Sequence, residues 1–278
     1  MSGADAPHAD ARVEALARQL LAAWDGASLV DVPSSAPGGL STADAYAVGE
    51  RLRALRLARG ERAVGWKIGF TNRGIWPRYG VYQPMWAPVW NTTTTLLDGT
   101  EGRLSLRGLS QPRIEPEVAF GFASAPRAGM SLDELRSCLA WVAHAFEIVH
   151  THYADWRFTA PDTAADFALH GRLFVGPRVA VDAWPTLAED LAALRLELAC
   201  DGQVRDRGEG RIVLDGPLHA LKAMVEAMAA TTPHWRIAEG DVVTTGTITD
   251  AWPLAAGQRW QTHLSNDRLS PLALVVEA

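Results

Sequence analysis

Apolar side chains recur at helical intervals near the start of the chain and at strand intervals after about residue 63. Between residues 9 and 25, Val13, Leu16, Leu20, Leu21 and Trp24 share one face of a 3.6-residue period. That spacing predicts a helix with Asp10 as its N-cap and Gly26 at its end. A Pro/Ser/Gly segment, VPSSAPGG, follows, and Ser41-Thr42-Ala43-Asp44 opens a second predicted helix reaching about residue 59. Short apolar or alternating runs then take over: AVGWKIGF, TTTTLLDG, LSLRG, EPEVAFGF, AFEIVH, GRLFVGP, LRLELACDG, DVVTTGTI, RWQTHLS and LALVVEA. Two further helices are predicted among them, over 131–141 and over 219–230 after Gly216-Pro217. There is no internal repeat. The pattern divides the chain into a helical N-terminal portion, 1–62, and a strand-rich α+β domain, 63–278.

Composition narrows the function classes. A hydrophobic fraction of 48% and a charged fraction of 21% are those of a globular chain with a sizeable core. A net charge of −6 argues against a nucleic-acid partner, because phosphate binding needs a concentrated basic surface. No apolar run is long enough to span a bilayer, and no membrane partner is expected. The opening MSGADAPHADAR lacks the basic flank and apolar stretch of a secretory signal. Cys138 and Cys200 are isolated and read as small core residues, so a reducing, cytoplasmic location is expected. Of 26 basic residues only Lys67 and Lys222 are lysine. Where lysine persists in an arginine-rich chain, a compact ammonium is a candidate requirement of the site. Lys67, within AVGWKIGF, is flanked by apolar residues and is the stronger candidate.

The chemistry concentrates in QPRIEPEVAFGF, residues 111–122. On a strand Glu115 and Glu117 point the same way, while Ile114, Val118 and Phe120 face an apolar interior. A third acid, Glu147, lies in the apolar run WVAHAFEIVH. Buried acids need a counter-charge or a metal. Two readings of the spacing stand at this point: a hard-oxygen site suited to Mg²⁺ or Mn²⁺, or three glutamates each paired with an arginine such as Arg113.

RIEPEVAF, AFEIV thirty residues beyond Glu117, and GWKIGFT at 65–71 together resemble the fumarylacetoacetate hydrolase superfamily. The nearer likeness is to its branch of 2-keto-4-pentenoate hydratases and 4-oxalocrotonate decarboxylases. It runs from about residue 40 onward and includes DTAAD at 162–166, GRLFVG at 171–176 and TTGTITDAWPLAAG at 244–257. The resemblance implies the family's mixed β-roll and Mg²⁺ or Mn²⁺ held by Glu115, Glu117 and Glu147. It implies a small-molecule 2-oxo acid substrate and a homo-oligomer engaged in aromatic catabolism. Lys67 matches the family's lysine and is assigned to the substrate carboxylate or enolate oxygen, with proton transfer as a further role if burial lowers its pKa. Thr245, Gly246 and Thr247 would border the substrate. Asp166 is a catalytic candidate that orients a water or a neighbouring side chain, or else caps a helix.

The chain also departs from that pattern. Phe167 stands where the hydratases commonly have asparagine. Tyr82, Met85 and Ala87 replace an acid and a glycine near Pro84, and His150-Thr151-His152 replaces a frequent Asp and Arg. On a continuing strand His150 and His152 would face away from Glu147, and they read as surface or hydrogen-bonded structural residues. Trp66, Trp76, Trp86 and Trp90 read as core or interface residues. The expected function is a divalent-metal-dependent lyase acting on a 2-oxo or 2-hydroxy-dienoic acid through an enolate, foremost a hydratase. The alternatives are a 2-oxo acid decarboxylase, a C–C bond hydrolase, and a non-catalytic subunit that binds 2-oxo acids through the metal.

Overall fold

The computed structural model describes residues 5–277, so the first four residues of the opening polar stretch lie outside it. In chain order the elements begin with α1 (Asp5–Gly26), α2 (Thr42–Ala58), β1 (Ala63–Gly69), α3 (Trp76–Tyr79), β2 (Met85–Trp90), β3 (Thr94–Leu96) and β4 (Glu101–Leu104). They continue with β5 (Arg113–Phe122), α4 (Leu132–Ser137), β6 (Leu139–Val149), α5 (Ala160–Ala165), β7 (His170–Val175), β8 (Val179–Ala180) and α6 (Leu187–Ala192). The last are β9 (Arg195–Cys200), β10 (Gln203–Glu209), α7 (Pro217–Thr231), β11 (Val242–Thr244), β12 (Trp252–Pro253), β13 (Arg259–Leu264) and β14 (Ala273–Val276).

The larger sheet runs β2-β1-β11-β5-β6-β7-β3, with β12 added to β5 and β8 to β6. The smaller one runs β10-β9-β13-β14-β4. Both are mixed: β1–β11, β3–β7 and β14–β4 are parallel pairs and the rest antiparallel. The architecture is the expected mixed α+β roll. Its main core joins Ile114, Val118 and Phe120 of β5 to Leu221 and Met224 of α7 and to Leu198 of β9. At the junction of β1 and β11, Gly65 (φ +152°) lies opposite Val242, where a Cβ would come within 1.8 Å of the Val242 carbonyl oxygen. Only glycine lets these two strands meet.

Several elements differ from expectation for identifiable reasons. α1 begins at Asp5, so Asp10 lies within it and is not its cap. α4 stops at Ser137, because Leu139 onward pairs with β5 as strand β6. Its Ser131–Glu134 capping box fixes the start, and Cys138 closes it. β2 carries no clear strand pattern in the sequence because Pro88 interrupts it. The proline is tolerated because β2 lies at the sheet edge, with β1 on one side only. The α7 start at Pro217 follows the favoured proline at the first helical position.

The N-terminal helices build a second apolar cluster. Ala17, Leu20 and Leu21 of α1 pack with Val48 and Leu52 of α2 and with Ala160, Ala164 and Ala165 of α5. The loop between α1 and α2 is pinned to α5 by Asp162, whose two oxygens accept from Ser34 N (2.8 Å) and Ser34 Oγ (2.6 Å). α5 in turn packs with Met85 of β2, at the edge of the large sheet.

Candidate metal centre and substrate cavity

The antiparallel register of β5 and β6 sets Glu115 directly across from Glu147. Glu117 lies two residues farther along the same face of β5. One carboxylate oxygen from each comes within 4.8 Å of the others. Like charges facing each other across a sheet are unfavourable, so the arrangement needs compensation. Glu117 and Glu147 are fully buried, while Glu115 is partly open to a cavity.

The arginine-paired alternative does not hold. Arg113 instead lies over the Trp156 ring, 4.0 Å from its centroid. Glu147 Oε1 accepts from His170 Nδ1 at 2.8 Å, and its Oε2 forms a 3.2 Å ion pair with Lys67 Nζ that lacks hydrogen-bond alignment. Glu117 Oε2 accepts from Gly246 N–H at 2.8 Å, and its Oε1 has no partner. Gly246 (φ +96°) fits beside Thr71 only without a side chain, since a Cβ would lie 1.9 Å from Thr71 Oγ1.

Electrostatics follow from this crowding. Burial pushes the Glu115 carboxyl up to about 7, opposed by Lys67 and reinforced by Glu147. Burial, reinforced by Glu147 and Glu115, raises Glu117 well above the ordinary carboxylate range. Burial also acts upward on Glu147, but Lys67 and His170 outweigh it and hold that group low. Burial acts to lower Lys67, yet the three carboxylates overcome it and its pKa is raised. Lys67 therefore carries its proton at neutral pH, and the lowered pKa on which a proton-transfer role was conditional is not found.

The cavity, about 250 Å³, has Lys67, Glu115, Gly246 and Thr247 at its polar end. Phe70, Tyr79, Met85, Trp156 and Phe158 contribute its walls, and Arg78 and Arg113 also line it. Thr245 and Asp166 do not line it. The Thr245 hydroxyl donates to Val118 O (3.0 Å) inside the sheet. Asp166 caps α5 and accepts from His152 Nδ1 (2.6 Å) and His152 N (3.0 Å), so it orients a neighbouring side chain behind the cavity. His150 and His152 are buried and hydrogen-bonded, the second of the two expected readings and not the surface one: His150 Nδ1 accepts from Ser110 N–H at 3.2 Å, and His152 Nδ1 is held by Asp166. β6 ends at Val149, and both rings pack against Trp24 of α1. Trp66, Trp86 and Trp90 are core residues, and Trp76 is half-buried with its N–H on Phe70 O. Met85 lines the cavity wall, Ala87 is buried in β2, and Tyr82 is exposed.

Phe167, Ala168 and Leu169 all have φ between +47° and +64°. Three consecutive L-residues in the left-handed region cost about 1–2 kcal/mol each. Asparagine tolerates that conformation better than phenylalanine. Here the Phe167 ring packs against Trp24 in a tilted arrangement (centroids 4.6 Å, planes at 51°) with the Arg56 guanidinium 5.6 Å away, and that packing offsets the strain. The turn directs the Ala168 carbonyl to Lys67 Nζ, 3.0 Å away, and leads into His170. The sequence pattern does not single out His170. A lone histidine heading the apolar strand HGRLFV was the available signal.

No family model matches the chain. Among relatives, it is 31% identical over 243 residues to a 2-keto-4-pentenoate hydratase of Burkholderia vietnamiensis, covering 86% of this chain and 88% of that one. It is 30% identical over 222 residues to a 2-hydroxyhexa-2,4-dienoate hydratase of Comamonas testosteroni, covering 80% and 81%. Its fold matches that of 4-oxalocrotonate decarboxylase from Pseudomonas putida G7, complexed with magnesium and adipate. The TM-score is 0.86 at 24% identity, over 95% of this chain and 97% of the other.

Proposed function

The chain belongs to the 2-keto-4-pentenoate hydratase and 4-oxalocrotonate decarboxylase branch of the fumarylacetoacetate hydrolase superfamily, and from that membership we propose a Mg²⁺-dependent hydratase of a 2-hydroxy-dienoic acid. The observation that carries the proposal is the convergence of Glu115, Glu117 and Glu147, with Glu117 Oε1 buried and unpartnered beside them. An oxygen-only set with a buried orphan acceptor fits a small hard cation. Bound there, a divalent ion supplies Lewis-acid stabilisation for negative charge developing on a 2-oxo oxygen.

The chain's own groups do the rest. Lys67, fixed between Ala168 O and Glu147, faces the cavity as a protonated donor for the substrate carboxylate or enolate oxygen. Gly246 N–H holds one oxygen of Glu117, and Thr247 borders the polar end. The aromatic walls seat the carbon tail and limit access of water. Asp166 acts through His152, and Thr245 through the sheet, as positioning groups. The same reading includes a boundary between residues 62 and 63 and a cytoplasmic location, supported by two buried free cysteines. It also includes a homo-oligomer, which rests on the family alone. Among the described residues no helix is long and apolar enough to cross a membrane.

A second reading, decarboxylase, is favoured by Arg78 and Arg113, which stack on Tyr79 and Trp156 at the cavity and are suited to a second carboxylate. Purified protein with Mg²⁺ is expected to bleach the dienol absorbance of 2-hydroxypenta-2,4-dienoate. Release of CO₂ from 4-oxalocrotonate, with no hydration of the dienoate, would move the assignment to the second reading. No turnover of either, with metal-dependent oxalate binding retained, would leave a binding subunit.

Metal affinity should tighten with pH. Glu115, at about 7, and Glu117, raised well above the ordinary carboxylate range by burial and by Glu147 and Glu115, must lose protons to bind an ion. Between pH 6 and 7 the apparent Mg²⁺ dissociation constant is expected to fall by about tenfold or more, with proton release detectable by calorimetry in buffers of different ionisation enthalpy. An affinity flat across this range would contradict the coupling.

A further inference from the structure

Register delivers the Glu147 backbone to the site, but it does not set the carboxylate's final torsion, which is intrinsically broad. Something else must decide how its two oxygens are presented. His170, the first residue of β7, is fully buried, with Nδ1 2.8 Å from Glu147 Oε1 and Nε2 2.8 Å from Thr93 Oγ1. An ionised carboxylate only accepts, so Nδ1 carries the proton and Nε2 accepts the Thr93 hydroxyl hydrogen. The competing acceptor for that hydrogen, Trp90 O, is farther away at 3.2 Å. Trp90 N–H in turn donates to Thr93 Oγ1, also at 3.2 Å. A directed chain thus runs from the end of β2 through Thr93 and His170 to one oxygen of Glu147. The other oxygen, Oε2, has no hydrogen bond and faces Lys67.

We propose that His170, backed by Thr93, is a positioning residue that restricts Glu147 to one-oxygen coordination and so favours Mg²⁺ over Ca²⁺. The proposal rests on Glu147 being a metal ligand. Mg²⁺ demands near-ideal octahedral geometry from single oxygens, whereas the larger Ca²⁺ readily takes a carboxylate through both. Partners that orient a metal's ligands in this way typically cost about 10–100-fold in metal affinity when removed.

The test is calorimetric titration of the metal-free protein with Mg²⁺ and, separately, Ca²⁺. His170→Ala is expected to weaken Mg²⁺ about 10–100-fold while shifting the Mg²⁺/Ca²⁺ preference toward Ca²⁺ by about fivefold or more. His170→Asn, whose amide N–H can stand where Nδ1–H stood, should recover most of both. Thr93→Val should weaken Mg²⁺ by about threefold. Variants that melt at lower temperature yet keep Mg²⁺ affinity and metal preference within about twofold of the parent would make His170 merely structural and overturn the proposal. Should His170→Ala not fold, native affinity and preference in Thr93→Val would overturn it equally. Glu147→Gln separates the two levels. If the parent binds Mg²⁺ no better than Glu147→Gln, the ligand assignment itself falls; if only the His170 and Thr93 variants behave as the parent, this inference alone falls.

Discussion

Replacing Glu117 with glutamine is expected to raise the melting temperature of the metal-free protein while reducing turnover roughly a thousandfold. The two effects have one cause seen from opposite sides. Glu117 is wholly buried, accepts a single hydrogen bond from Gly246 and faces two other acids. Its carboxyl is raised well above 4.5 by burial, then by Glu147 and Glu115. For an acid raised in the folded state, the stability it contributes is complete below its unfolded pKa and is lost as pH rises through the folded value. Without metal the native protein should therefore weaken as pH rises from the ordinary carboxylate range through neutrality, where Glu115, at about 7, also ionises. Glutamine keeps the acceptor for Gly246 N–H and cannot ionise, so the variant's metal-free melting curve should be flatter with pH and higher at pH 8. The same change removes a ligand charge. Lewis-acid stabilisation is worth several kcal/mol, and each 1.36 kcal/mol is a factor of ten in rate. Melts in EDTA from pH 6 to 9, set beside kcat and Mg²⁺ titrations, provide the check. A metal-free variant less stable than its parent at every pH would refute the repulsion account, and native Mg²⁺ affinity would refute the ligand role.

Lys67→Met should do the reverse to stability and the same to turnover. The ammonium is the positive group that the three converging carboxylates share, and it also satisfies Ala168 O. A lysine raised in the folded state stabilises fully below its unfolded pKa, so all of its contribution is present at neutral pH. Methionine keeps the apolar stem and deletes the charge. Breaking a buried ion pair costs about 3 kcal/mol or more, roughly 6–10 °C in melting temperature for a chain of this size. The loss should shrink at pH 6, where the carboxylates take up protons instead. Turnover should fall on the order of 10²–10⁴-fold, as for removal of a positioned proton donor. Mg²⁺ binding, freed of a neighbouring cation, should be unchanged or tighter. Weakened Mg²⁺ binding in Lys67→Met would show that the lysine supports the metal site and not the substrate.

Phe167 illustrates why the departures from the family pattern could not be interpreted from the sequence. In isolation the exchange of asparagine for phenylalanine looks like the loss of a polar group from the site. In the fold, its ring lies against Trp24 beneath the N-terminal helices, while its neighbour's carbonyl holds Lys67. The exchange alters how a strained turn is braced. His150 and His152 carry the same lesson: the strand that would have turned them away from Glu147 ends at Val149, and the chain folds them under α1.

The sequence by itself determined the α+β class, the helical start, and the single face shared by Glu115 and Glu117, because these follow from periodicities of 3.6 and 2 within one segment. It also marked Lys67 as unusual through composition alone. Tertiary structure decided the rest: that Glu147 stands opposite Glu115, that Gly246 reaches Glu117, and that His170 backs Glu147. Those contacts join residues 23 to 129 positions apart. Strand register, and with it the meeting of distant side chains, is fixed by packing of the whole sheet, which no local pattern encodes.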